Sequence, residues 1–295
     1  MTPQYAAYIA PARARNQLWR LVLGLMLIVG VYVAWMVGMG VALWLNAGFV
    51  GFEAQLAQIG SGAEPWSLIL LLMTFLGGWL GVALTLRVFH KRGLRSLLGR
   101  APVVLRDFVL GLVMMTVVGG GIALALTPLM PELEIATAPN VWLMFLPLAL
   151  LGILIQTGAE ELVFRGYIQG QLAARFASPL IWLIVPTILF GLAHYSPQEM
   201  GTNAWIVVAT TGLFGLAASD LTARTGSLGL AWGLHFANNV LAILIVSVTG
   251  GLDGLALLHF PDPATSAGLL RPLLIADMVL MGLVWGACRL WLRRR

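Results

Sequence analysis

The stretch LVLGLMLIVGVYVAWMVGMGVALWL, residues 21–45, contains neither a charged side chain nor a proline. A helix needs about 20 apolar residues to cross a hydrocarbon core of roughly 30 Å. A signal-peptide core has only ~7–15, so the run, which follows Arg13, Arg15 and Arg20, reads as an uncleaved membrane anchor. Seven further apolar runs follow: Trp66–Leu86, Phe108–Thr127, a long one from about Val141 to beyond Glu161, Pro179–His194, Ala204–Ala218, Ser227–Thr249 and Leu269–Leu292. The expected fold is an all-α, polytopic integral membrane protein with about eight transmembrane helices. Composition agrees: 60% of residues are hydrophobic and 10% charged, against about 45–50% and about 25% in a soluble domain. Such a chain is neither a soluble enzyme nor disordered. Its single cysteine, Cys288, excludes a disulfide framework. The net charge of +5 does not form a basic face on a soluble domain, so no nucleic-acid partner is expected.

The placement of positive charge predicts orientation, because Lys and Arg in short loops stay in the cytoplasm. Basic residues gather in the N-terminal segment, in the second connection (Arg87, Lys91, Arg92, Arg95, Arg100, Arg106), at Arg175, at Arg224 and at Arg289–Arg295. The alternate connections hold Glu53, Glu64, Glu132, Glu134, Glu199, Asp253 and Asp262, with Arg271 the basic exception. Both termini should face the cytoplasm, in a multi-pass protein of the cell (inner or plasma) membrane. A single Lys among 17 basic residues fits a GC-rich bacterial genome. No repeat or soluble segment divides the chain, which reads as one membrane domain over residues 1–295. Its first three spans, within residues 1–140, carry no readable motif.

Ionisable groups inside a span cost at least about 2.5–3.5 kcal/mol each on insertion scales, so their presence points to function. Three clusters qualify: Glu160-Glu161-Leu162-Val163-Phe164-Arg165, Phe190-Gly191-Leu192-Ala193-His194, and His235-Phe236-Ala237-Asn238-Asn239. Glu161 and Arg165, at i and i+4, share a helix face and can pair. Glu160 lies about 100° around the helix and lacks a local countercharge. His235 and Asn239 share a face by the same spacing. If the fourth helix continues to Arg175, Glu160 lies 15 residues, or about 22 Å, from that end; His194 lies equally far from Pro179. The clusters can therefore meet only if the fourth helix is long. A run from Val141 to Arg175 would be about 52 Å, so its first turns should lie outside the core, or it should break near Pro147 or Gly158. His90 and His259 fall in connections and receive no role. Asp277 lies within the eighth span without an assigned role.

A carboxylate and imidazoles around a wet intramembrane cavity suit water activation, with Glu as general base and His or Asn donors aimed at an oxyanion. There is no H-E-x-x-H zinc helix, and Ser61 falls in a connection without a His partner. The three motifs EExxxR (Glu160–Arg165), FxxxH (Phe190–His194) and HxxxN (His235–Asn239), in that order on hydrophobic helices, resemble those of the CPBP family. That family comprises the CAAX proteases and bacteriocin-processing or Abi proteins, including the Ras-converting CAAX endopeptidase, and the resemblance covers roughly residues 150–245. It implies a glutamate-dependent intramembrane endopeptidase acting on a hydrophobic peptide or membrane protein. Glu160 would activate the water, His194 would help hold it, and His235 with Asn239 would stabilise the oxyanion, while Glu161 and Arg165 would form the supporting pair. The family has often been called metalloproteases; a divalent ion such as zinc would take Glu160, His194 and His235 as its ligands, the alternative being a site with no cofactor. Two other readings use the same residues: a non-catalytic membrane partner or bacteriocin self-immunity factor, and a small transporter with a proton relay.

Overall fold

The computed structural model describes residues 1–126, 128, 133–247, 252–260 and 263–294. Glu132, Asp262 and Arg295, which entered the expected orientation, and the expected span ends Thr127 and Thr249 lie outside the described residues. Among the described residues the protein is all-α apart from three two-residue strands. After a short helix α1 (Pro3–Arg13) come α2 (Leu18–Ser61, kinked at Gly48, whose backbone is not helical), α3 (Pro65–His90), α4 (Ala101–Ala125), α5 (Pro139–Arg175), α6 (Pro179–Leu192), α7 (Ala204–Thr225), α8 (Gly229–Ile245) and α9 (Pro263–Arg293). Six of these contain a stretch long and apolar enough to cross a membrane, and α6 and α8 are shorter apolar helices. Helices are the required solution here, because lipid offers backbone N–H and C=O groups no partners. Prolines mark the entries at Pro65, Pro139 and Pro179, where a missing N–H costs nothing. Glycines in the left-handed conformation close α2 at Gly62 and α7 at Gly226. Leu45, Val117, Leu124 and Leu180 remain largely exposed, forming an apolar exterior that suits lipid.

The connections sort to two ends of the bundle. At one end α1 lies across the basic connections: the Thr2 hydroxyl donates to the Ala223 carbonyl, Tyr8 donates to Leu97, and Asn16 donates to Ala174. Tyr5 is fully buried against Trp182 at the foot of α6. Burial also raises the Tyr5 and Tyr8 hydroxyl pKa values above the usual phenolic range, so both stay neutral. At the other end β1 (Glu134–Ile135) pairs antiparallel with β3 (Leu258–His259), which pairs parallel with β2 (Val246–Ser247). The backbone N–H of Gly254 reaches the Gly62 carbonyl there as well.

The long fourth span is present as α5, continuous from Pro139 to Arg175. It does not break at Pro147 or Gly158, both of which lie inside its α-helical part. The helix instead widens into a π-helical stretch over Leu162–Gln169, directly after the glutamate pair. A second π-helical stretch, Leu241–Ile245, follows Asn239 in α8. Such widening is frequent at functional sites because it re-aims side chains without ending the helix.

Close packing sets the position of α8. A Cβ on Gly229 would lie 2.1 Å from the Val104 carbonyl oxygen, and one on Gly233 would lie 2.1 Å from that of Phe108. The Gly229/Gly233 pair is a small-xxx-small contact that lets α4 and α8 touch backbone to backbone. Trp79 and Trp232 hold α5 from two sides, donating to the Ile155 carbonyl and the Thr157 hydroxyl. Gly158 makes room for both indoles, since a Cβ there would meet Trp79 at 2.5 Å. Gly233→Val should therefore push α8 off α4, two residues before His235, and lower stability by about 1–3 kcal/mol or more. Thermal unfolding in detergent measures this; an unchanged midpoint would contradict backbone-to-backbone packing at this position.

Candidate active site

Three helices deliver the three motifs to one place. Helix α5 carries Glu160, Glu161 and Arg165, the end of α6 carries Phe190 and His194, and α8 carries His235 and Asn239. Glu161 and Arg165 are buried at 0% and 1% exposure, so both charges are fully desolvated. Taking two ions out of water costs several kcal/mol per ion unless geometry and further bonds offset it. Here Arg165 Nη1 donates to Glu161 Oε1 at 2.9 Å, and His235 Nδ1 lies 2.9 Å from the same oxygen. The guanidinium also sits 4.3 Å from the Phe190 ring centroid and 5.4 Å from that of Phe214, favourable cation–π placements. A carboxylate can only accept, so His235 carries a proton on Nδ1 and turns Nε2 towards Glu160.

Glu160 is held differently. Its Oε1 accepts from the Gln156 amide at 2.8 Å, and Gln156 Oε1 accepts from Asn239 Nδ2 at 2.8 Å. Its Oε2 has no hydrogen-bond partner among the described residues and lies 3.5 Å from His235 Nε2. Each glutamate has one buried oxygen, Oε2, without a hydrogen bond, but their settings differ: Glu161 is locked into a buried ion pair, while Glu160 lines the cavity.

His194 lies just past the end of α6, in a turn whose backbone N–H reaches the Gly191 carbonyl. Its Nδ1 lies 2.8 Å from the Phe190 carbonyl, which can only accept, so Nδ1 carries a proton and Nε2 is the nitrogen left free of that bond. The ring packs on Phe190 with centroids 4.8 Å apart. Phe190 thereby supports the imidazole on one side and the Arg165 guanidinium on the other.

A cavity of about 380 Å³ opens beside these groups, lined by Glu160, His194, His235 and Asn239 together with Gln156 and apolar side chains of α3 and α8. At roughly 30 Å³ per water, it can hold solvent or a substrate segment. Gln156 was not among the residues singled out from sequence, although its position four residues before Glu160 was a readable signal. Asp277 of α9 also lines the cavity. Ser61 caps the end of α2, donating to the Gln58 carbonyl. His90 is buried between the Arg15 carbonyl and the Tyr167 hydroxyl, and His259 sits in the small sheet opposite Glu134.

The zinc set Glu160, His194 and His235 is not assembled: among the described residues no three His, Cys, Asp or Glu side chains are grouped to hold a metal ion. The Nδ1 atoms of His235 and His194 each sit on an oxygen, the arrangement usual for a metal-bound imidazole, which leaves Nε2 as the nitrogen a metal would take; it is the grouping of the three side chains that falls short of one ion.

Residues 140–241 match the family model for Type II CAAX prenyl endopeptidase Rce1-like proteins, a segment that contains all three motifs. The chain is also similar to the uncharacterized protein YyaK of Bacillus subtilis (strain 168), at 25% identity over 304 residues, covering 98% of this chain and 97% of the relative. No solved structure matches the chain. At the level of the family, the match supports an intramembrane endopeptidase, a hydrolase of the CAAX-protease type.

The ion pair generates a stability prediction. Arg165→Met leaves the Glu161 carboxylate buried with only His235 beside it and should cost about 3–5 kcal/mol. Glu160→Gln, with one amide already facing Glu160 and a cavity beside it, should cost far less. Denaturant unfolding of the two purified variants makes the comparison; equal, small losses would contradict the assigned asymmetry.

Proposed function

We propose that the protein is a glutamate-dependent intramembrane endopeptidase that hydrolyses a peptide bond in a hydrophobic peptide or membrane-protein substrate. The observation that carries this reading is the unpartnered Oε2 of Glu160 beside a cavity shared with His194. A water placed there can donate one hydrogen to Glu160 Oε2 and the other to His194 Nε2, which turns an oxygen lone pair towards the substrate carbonyl. Glu160 takes the proton as the C–O bond forms. The developing oxyanion is met by the Asn239 amide, whose bond to Gln156 uses one of two N–H groups. His235 adds a donor through Nε2 when both its ring nitrogens are protonated. The proton then passes from Glu160 to the leaving nitrogen and the C–N bond breaks. Glu161 and Arg165 touch none of the reacting atoms; they hold His235 and the π-helical turn in position. Residues 150–245 form the catalytic core in this reading, within one membrane domain with both termini in the cytoplasm, in the cell membrane of a bacterium. Such a hydrolysis uses only the chain's own residues and a water.

Cleavage of a hydrophobic peptide library by purified protein in liposomes tests the reading. Glu160→Gln should abolish cleavage while leaving the unfolding midpoint in place; cleavage at the wild-type rate would sink it. Gln156→Leu releases Glu160 Oε1 and the Asn239 amide, and should lower kcat by up to about a hundredfold through misplacement alone. An unchanged kcat would remove Gln156 from the positioning network.

A further inference from the structure

Asp277 stands apart from the other carboxylates that are buried or half-buried on the apolar helices. Glu161 pairs with Arg165, Asp107 with Arg106, and Asp220 with Arg224, at 2.8 Å, and Trp285. Glu160 accepts from Gln156. Among the described residues, no side chain hydrogen-bonds to or ion-pairs with Asp277.

Its direction is set by packing. Leu274, Asp277, Met281, Val284 and Cys288 follow one another at helical spacing on one stripe of α9, and Met281, Val284 and Cys288 are buried against Phe214 and Ala218 of α7. One turn from Asp277, the Thr210 hydroxyl of α7 approaches the Leu274 carbonyl at 3.5 Å. Asp277 thus lies on the inward stripe, where Leu or Met would pack at no electrostatic cost, and its side chain lines the cavity that holds Glu160 and His194. A charged group on a packing stripe is expensive unless something meets it.

Among the described residues, the cavity wall carries two carboxylates, Glu160 and Asp277, and no Lys or Arg. Such a wall repels a free C-terminal carboxylate and favours a cation. Resting on the endopeptidase reading, we propose that Asp277 is a specificity-determining residue that binds a cationic group of the substrate, a Lys or Arg side chain or a free amino terminus, near the bond to be cleaved. In that role Asp277 leaves Glu160 free for the water, since the cation is taken up at the second carboxylate. The substrate class narrows to hydrophobic segments with a positive charge close to the scissile bond.

The test uses the full-length protein in liposomes and paired hydrophobic peptides, capped at both ends, that carry lysine, norleucine or acetyl-lysine at successive positions. At one position at least, wild-type protein should cleave the lysine peptide at least about tenfold more efficiently than its norleucine or acetyl-lysine counterpart. Asp277→Asn should reduce that ratio to about one through loss on the lysine peptide, and Asp277→Glu should restore part of it. Asp277→Leu, which suits the apolar stripe, repeats the test with a variant that packing favours. An absent lysine preference in wild-type protein, or an undiminished one in Asp277→Asn or Asp277→Leu, would overturn the proposal.

If wild-type protein cleaves none of the peptides, the endopeptidase reading fails and the binding claim is read separately. Photo-crosslinking of the same peptides to the Glu160→Gln protein should label more strongly with lysine, and a further Asp277→Asn change should remove that excess. Equal labelling by lysine and norleucine peptides would overturn the Asp277 assignment even then.

Discussion

Glu161, Arg165 and His235 form a desolvated cluster in which one carboxylate oxygen takes bonds from a guanidinium and an imidazole, each at 2.9 Å. Water is nearly excluded, so the charges cannot be traded for solvent and the three side chains have one low-energy arrangement. That constraint joins α5 to α8 and fixes the imidazole that faces Glu160. The aromatic rings of Phe190 and Phe214 enclose the same guanidinium, which brings the end of α6 and the middle of α7 into register with it. The placement of His194, and of the cavity itself, follows from this cluster.

The division of labour between adjacent glutamates follows from helix geometry. About 100° of rotation separates their side chains, so one points into the packed interior and its neighbour into the cavity. The π-helical stretch that begins at Leu162 changes the rotation of everything beyond it, including Arg165. The motif therefore depends on a local departure from α-helical geometry as well as on spacing.

The helical membrane architecture was legible because the bilayer imposes length and apolarity on every span, and those leave a strong trace in residues such as 21–45. The candidate site was legible in part for the complementary reason: Glu160, Glu161, Arg165, His194, His235 and Asn239 are conspicuous where polarity is scarce. Gln156 was missed because an uncharged amide in an apolar run attracts little notice, although its role depends on a partner from another helix. Of the two ways expected for the long fourth helix to fit, a break at Pro147 or Gly158 is not the one found. Neighbouring helices and the indoles of Trp79 and Trp232 support α5 through that region, and the irregularity falls where Arg165 must reach Glu161. The docking of α1 was not legible, because its tyrosines find their partners on segments far away in sequence. Asp277 could be seen as anomalous, but only the packing of α9 places it on the cavity wall.

In the proposed chemistry Glu160 acts as a base on water and is not itself the nucleophile. Many turnovers of a cleaved peptide in heavy-oxygen water, followed by mass analysis of products and of the digested enzyme, test it most directly. Base catalysis predicts heavy oxygen in each new C-terminal carboxylate and none in the Glu160 side chain. Heavy oxygen accumulating in the Glu160 carboxylate would mean an acyl-enzyme anhydride opened by water, and would contradict it.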